Sequence, residues 1–167
     1  MNISAYRKIK KKPLRPRTIT FLLKDNKIVL GLKKRGFGKG YLLGIGGKVE
    51  TGETIEDGAR RELAEEINVT SLRLRKVGVL NFYFPHVEDE SWNQEVHVFI
   101  ANTWEKEPQE SEEIKPEWFS IENIPYDKMW DDAHYWLPQV LQGQTIEGEF
   151  VFTKELKVED YTIKPLD

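Results

Sequence analysis

The sequence predicts an α+β domain, a mixed β-sheet sandwiched between α-helices. Three observations lead there. Residues 54–67 carry apolar side chains at helical spacing, and residues 133–142 repeat that pattern more weakly. Short apolar or alternating runs lie before, between and after these two stretches, each bounded by turn residues. No internal repeat or interdomain linker divides the 167 residues, which are enough for one domain with a real core.

The elements follow in order. Residues 7–17 hold Arg7, Lys8, Lys10, Lys11, Lys12, Arg15 and Arg17 without an acid, and Pro13 and Pro16 argue against a helix. Residues 1–16 are therefore expected to be a flexible basic tail and 17–167 the domain. Residues 18–23 and 28–32 read as a β-hairpin turning at Asp25 and Asn26. A basic, glycine-rich loop, 33–40, leads to a short strand over 41–45. The helix over 54–67 has Thr54 at its N-cap position and Asn68 at its end, where asparagine tolerates the left-handed conformation. Strands are expected over 74–84 and 95–102, joined by a polar hairpin loop. After an acidic loop, 105–113, come a short strand over 116–121 and a loop about Ile124 and Pro125. The second helix stops at Gly143, and a last strand pair lies over 149–153 and 161–163.

Composition excludes several classes. There is no cysteine, so neither disulfides nor thiolate metal sites are available, in keeping with a cytoplasmic protein. No apolar run approaches a membrane span, and no membrane partner is expected. A net charge of -3 argues against general nucleic-acid binding, except weakly through the basic tail.

Helical projection puts Glu62 and Glu66 in one stripe with Ile55, Gly58 and Ala59, and Glu65 beside it. Like charges at this spacing destabilise a helix. A hard divalent cation such as Mg²⁺ offsets that repulsion and bridges to phosphate oxygens. Gly46 and Gly47, just upstream, allow a close backbone approach to such an ion or its phosphates.

The stretch resembles the Nudix box, G-x5-E-x7-R-E-U-x-E-E-x-G-U, with U a bulky aliphatic residue. Gly47, Glu53, Arg61, Glu62, Leu63, Glu65, Glu66 and Val69 match in register, and Asn68 replaces the second glycine. The wider chain, including 33–38, 46–49, 96–99, 118–119, 129–130 and 160–162, is similar to the MutT-like purine nucleoside triphosphatases of that superfamily. The resemblance implies a Nudix fold and hydrolysis of a nucleoside triphosphate to monophosphate and pyrophosphate. Oxidised nucleotides such as 8-oxo-dGTP or 2-hydroxy-dATP are the expected substrates. It implies Mg²⁺, with Mn²⁺ an alternative, on Glu62, Glu65, Glu66, the Gly46 carbonyl and Glu113. Glu65 or Glu113 is the implied base, and both readings stay open. Glu53 and Arg61 are implied to be structural, and the protein a monomer.

For the substrate, the resemblance points to Thr18, Lys33, Phe37, Leu43, Ile45, Gly46, Gly47, Lys48, Phe82, Trp130, Asp131 and Asp132. Trp130 is the expected stacking platform. Leu42 and Leu43 stand where the family has tryptophan and asparagine, so Leu43 offers no hydrogen bond to a base edge. An ungapped alignment keeps Asp132 but sets Ala133 at the second aspartate of the family's pair; a one-residue gap restores Asp131 and Asp132. Two other readings compete: a Nudix hydrolase of dinucleoside polyphosphates or capped RNA ends, and a non-catalytic binding module.

Overall fold

The computed structural model describes residues 1–166. Its elements run α1 (Ile3–Ile9), β1 (Arg15–Lys24), β2 (Lys27–Lys33), β3 (Leu42–Leu43), β4 (Ile45–Lys48), α2 (Ile55–Ile67), β5 (Arg75–Tyr83), β6 (Gln94–Ala101), β7 (Ile114–Ser120), α3 (Ala133–Leu141), β8 (Ile146–Phe152) and β9 (Val158–Pro165). The strands form one mixed sheet in the order β3-β2-β1-β6-β5-β8-β9, with β4 also paired to β1 and β7 to β2. The α+β expectation holds.

β1 is the hub. One edge pairs in parallel with β6 along nearly its whole length. The other edge is shared: residues 17–20 pair with β4, and Leu23 and Lys24 turn back onto β2. Asp25 and Asn26, both at positive φ (53° and 61°), make that turn, as a two-residue type I′ hairpin requires.

Alternation along the strands sorts the layers. Phe21, Ile100 and Phe150 point into a large core with Trp136, Leu137 and Val140 of α3. Leu22 and Ala101, one residue on, pack on the opposite face with Leu63 and Ile67 of α2. Thr54 caps α2 as expected, its Oγ1 accepting from the Asp57 N–H at 3.1 Å. Asn68, at φ 59°, closes it with its N–H donating to the Ala64 carbonyl. The second helix ends at Gly143, at φ 95°.

Two expectations are corrected. Residues 1–16 are not a free tail. Asn2 caps α1, accepting from the Ala5 N–H at 2.8 Å, and Ile3 and Tyr6 are buried against Tyr83 and Val151 on the α2 side of the sheet. Arg7 pairs with Glu149, and the Ile3 N–H donates to Asp160 at 2.9 Å. Pro13 and Pro16 lie beyond α1, so they leave it intact, and β1 already begins at Arg15. The strand expected over 41–45 is two strands. Gly44 breaks it, so that β3 pairs with β2 and β4 with β1. A side chain at Gly44 would sit about 3.0 Å from the Phe21 ring.

Candidate active site

The site begins where β4 passes beneath α2. A Cβ at Gly46 would collide with the Thr18 carbonyl, and one at Gly47 would lie 2.6 Å from Glu62 Oε1. The paired glycines let the sheet edge and the Glu62 carboxylate close on each other. Glu62 is 9% exposed. One turn on, Glu66 Oε2 is buried with no hydrogen-bond partner. Burial, then the neighbouring Glu62 carboxylate, pushes the Glu66 carboxyl well above the ordinary range. Two facing carboxylates, one holding an orphaned oxygen, are a set that a hard cation would satisfy.

Arg61 ties this helix to its loop. Its Nη2 donates to Glu53 Oε1 at 2.7 Å and to the Lys48 carbonyl at 2.8 Å, and its Nε to Glu53 Oε2 at 3.1 Å. Its Nη1 reaches Glu62 at 3.0 Å and Glu65 at 3.2 Å. Bonded by Arg61 and by the Glu50 N–H, Glu53 is held down at about 2. Glu53 and Arg61 thus form a bidentate brace, and Glu65, exposed, leans on that brace. Glu113 receives Lys33 at 3.2 Å and Arg35 at 2.8 Å, and these two cations hold its carboxyl below the usual range, Arg35 first. Among the described residues, no three acidic or histidine side chains form a ready-made metal cage. Glu62 and Glu66 are brought together, Glu62 and Glu65 share the Arg61 guanidinium, and Glu113 is held by Lys33 and Arg35.

From Glu66 and Gly47 a cavity of about 180 Å³ runs along β1 to a ring-lined end. Phe37, Phe82, Phe84, Trp130 and Phe152 line that end. Phe84 stacks on Phe152 at 4.9 Å, Trp130 on Tyr41 at 4.8 Å, and Phe37 approaches Trp130 at 5.2 Å. Asp132 is buried there and accepts from Trp136 Nε1 at 2.7 Å. Burial lifts it to about 7, against the hydrogen bond from Trp136. Thr18 is also buried, with an unpartnered Oγ1.

Of the predicted substrate residues, Thr18, Lys33, Phe37, Leu43, Gly46, Gly47, Phe82, Trp130 and Asp132 line this cavity. Three do not. Ile45 is wholly buried in the core beneath α2. Lys48 is exposed, and it is its carbonyl that is engaged, by Arg61. Asp131 accepts from the Val158 N–H at 2.8 Å, so Asp132 alone of that pair enters the cavity. Sequence reasoning missed Arg17, Phe84, Gln94 and Phe152. Phe84 lies two residues after Phe82, so strand periodicity was the signal that could have found it. Arg17 was hidden in the basic block.

The mixed sheet and the glycine loop feeding a carboxylate-bearing helix define a Nudix hydrolase. The Nudix domain model matches residues 13–140, and the chain belongs to that family. It is 41% identical over 153 residues to the oxidized purine nucleoside triphosphate hydrolase of Mus musculus, covering 90% of this chain and 94% of that protein. The corresponding hydrolase of Danio rerio is 45% identical over 135 residues, covering 81% and 85%. A MutT protein from Bacillus halodurans shares the fold, with a TM-score of 0.78 at 22% identity over 92% of this chain and 100% of that one. Nudix hydrolases work with a divalent metal ion. Among the described residues no helix is long and apolar enough to cross a membrane.

Proposed function

We propose that this protein hydrolyses purine nucleoside triphosphates to monophosphate and pyrophosphate, with oxidised purines such as 8-oxo-dGTP and 2-hydroxy-dATP among its substrates. The observation that carries the reading is one continuous cavity with rings and Asp132 at one end and Gly47 and Glu66 at the other. A purine fits among the rings, and its phosphates then point to the carboxylates. The names of the mouse and zebrafish relatives support the same substrate class.

Mg²⁺, or Mn²⁺ in its place, would be held by Glu62, Glu65, Glu66 and the Gly46 carbonyl, with Glu113 at the rim. The orphaned Glu66 oxygen supports this set. When bound, the ion would polarise phosphoryl oxygens and lower the pKa of an attacking water. Around it, Arg61 and Glu53 keep α2 and its loop in register, and Glu65 would be shared between Arg61 and the ion. Glu65 or Glu113 accepts the water proton. Lys33 faces the phosphates, and Trp130 and Phe37 flank the base. Thr18 and Asp132 meet its polar edge, a task Leu43 does not share. We further propose a monomer acting in the cytoplasm.

The test is a nucleotide panel assayed for pyrophosphate release with Mg²⁺: dGTP, 8-oxo-dGTP, 2-hydroxy-dATP, a dinucleoside polyphosphate and capped RNA. Preferential turnover of the oxidised purine triphosphates is expected. Turnover confined to the last two substrates would refute the assignment.

A further inference from the structure

Arg17 has no role in the reading above, yet it lines the same cavity, from the β1 strand that forms its floor. It stands opposite Lys48 on β4 and Val96 on β6. Its guanidinium makes no hydrogen bond or ion pair to any described side chain. Of the other basic residues about the site, Lys48 is exposed and outside the cavity, and the rest are taken: Lys33 by Glu113, Lys34 by Glu110, Arg35 by Glu112 and Glu113, and Arg61 by Glu53, Glu62 and Glu65. Arginine presents five donors and cannot shed its proton to escape burial. Burial disfavours its charge here, and Glu62 and Glu66 act on it only from a distance. A partly desolvated cation without a bonded partner is costly unless an anion arrives.

Position narrows the anion. Arg17 lines the cavity along with the rings, and it feels the charges of Glu62 and Glu66 at the other end. A ligand with its base among the rings and its terminal phosphates at the carboxylates passes Arg17 with its sugar and first phosphate. We propose that Arg17 is a substrate-binding residue that holds the α-phosphate of the nucleotide. The proposal rests on the cavity being a nucleotide site. It gives Arg17 a bond made equally to substrate and to monophosphate product, because the α-phosphate stays with the nucleoside.

The experiment compares binding of guanosine and of guanosine 5′-monophosphate to the full-length, metal-free protein by calorimetry. Arg17→Ala and Arg17→Met are set beside the unsubstituted chain, the methionine keeping an unbranched apolar stem. A charge-assisted bond to phosphate is worth about tenfold to a hundredfold in affinity. Both variants should lose that factor for the monophosphate and leave guanosine binding unchanged, and Arg17→Lys should recover part of the loss. Equal losses for the two ligands, or no loss for either, would overturn the proposal. If the unsubstituted protein binds neither ligand, the nucleotide reading of the cavity fails instead. Inorganic tripolyphosphate then decides Arg17 alone: weaker binding in Arg17→Met supports it as an anion site, and equal or absent binding overturns it.

Discussion

At the scale of single residues, two buried carboxyls set the chemistry. Glu66 is held beside Glu62 with one oxygen unpartnered, and burial beside that carboxylate makes its ionisation costly until a cation arrives. Glu66→Gln removes that ionisable group while keeping the shape, with its largest effect on stability at alkaline pH, where Glu66 would otherwise be ionised. It should raise the melting temperature of the metal-free protein and lower turnover by at least about a hundredfold, as expected where a metal ligand is lost. Turnover within a few-fold of the parent would show that Glu66 is no ligand. Asp132 gives a pH signature. It titrates near pH 7 in the folded chain and near the ordinary aspartate value, about 4, in the unfolded one. Between those values the folded state holds a proton that the unfolded state has released, so stability falls as pH rises from about 4 to about 7. Asp132→Asn should reduce that slope in melting curves collected across pH 4–8, leaving the part that the raised Glu66 carboxyl contributes in the same direction. An unchanged slope would place the titrating group elsewhere.

At the scale of elements, α2 and the first hairpin were legible because their signals are local. Thr54, Asn68 and the Asp25–Asn26 turn each act within a few residues of themselves. The α1 helix was not legible. Seven residues with lysines and arginine beyond them are too short to be helical by propensity. What holds α1 is the patch formed by Tyr83 and Val151, which lie far along the chain. The break at Gly44 was missed for the same reason, since its cause is the Phe21 ring on another strand. Within the site, the carboxylates of α2 were readable from spacing, but the diversion of Asp131 to the Val158 N–H depends on where β9 lies. The basic partners of Glu113 likewise come from the end of β2 and the loop after it, remote in sequence.

The α1 helix also reaches the cavity. The Tyr6 hydroxyl accepts from Asn93 Nδ2 at 2.8 Å, and Asn93 Oδ1 accepts from the Phe84 N–H at 2.8 Å. Phe84 and the adjacent Gln94 line the ring end. Deleting residues 1–10 exposes Tyr83 and Val151 and frees Asn93. Losing two buried side chains costs about 3–6 kcal/mol before the ordering of α1 is discounted. The melting temperature should fall by about 5–15 °C, and KM should rise more than kcat falls. An unchanged melting curve would mean that α1 does not stay docked in solution.

At the scale of the whole molecule, β1 joins everything: it carries Thr18 and Arg17, receives the glycine strand on one edge and β6 on the other, and underlies the cavity from end to end. Its parallel partner β6 lies about eighty residues further along the chain, and β5 with β8 repeats the arrangement at about seventy. Closing such long loops is slow, and neither pairing is guided by a tight turn. The floor of the cavity therefore depends on contacts between distant parts of the chain. In the folded protein those contacts cover the rings of Phe21 and Phe150 and, in part, Phe82. A ligand held in this cavity would touch β1 and β6 together, and by binding only the folded chain it would stabilise a pairing made across about eighty residues.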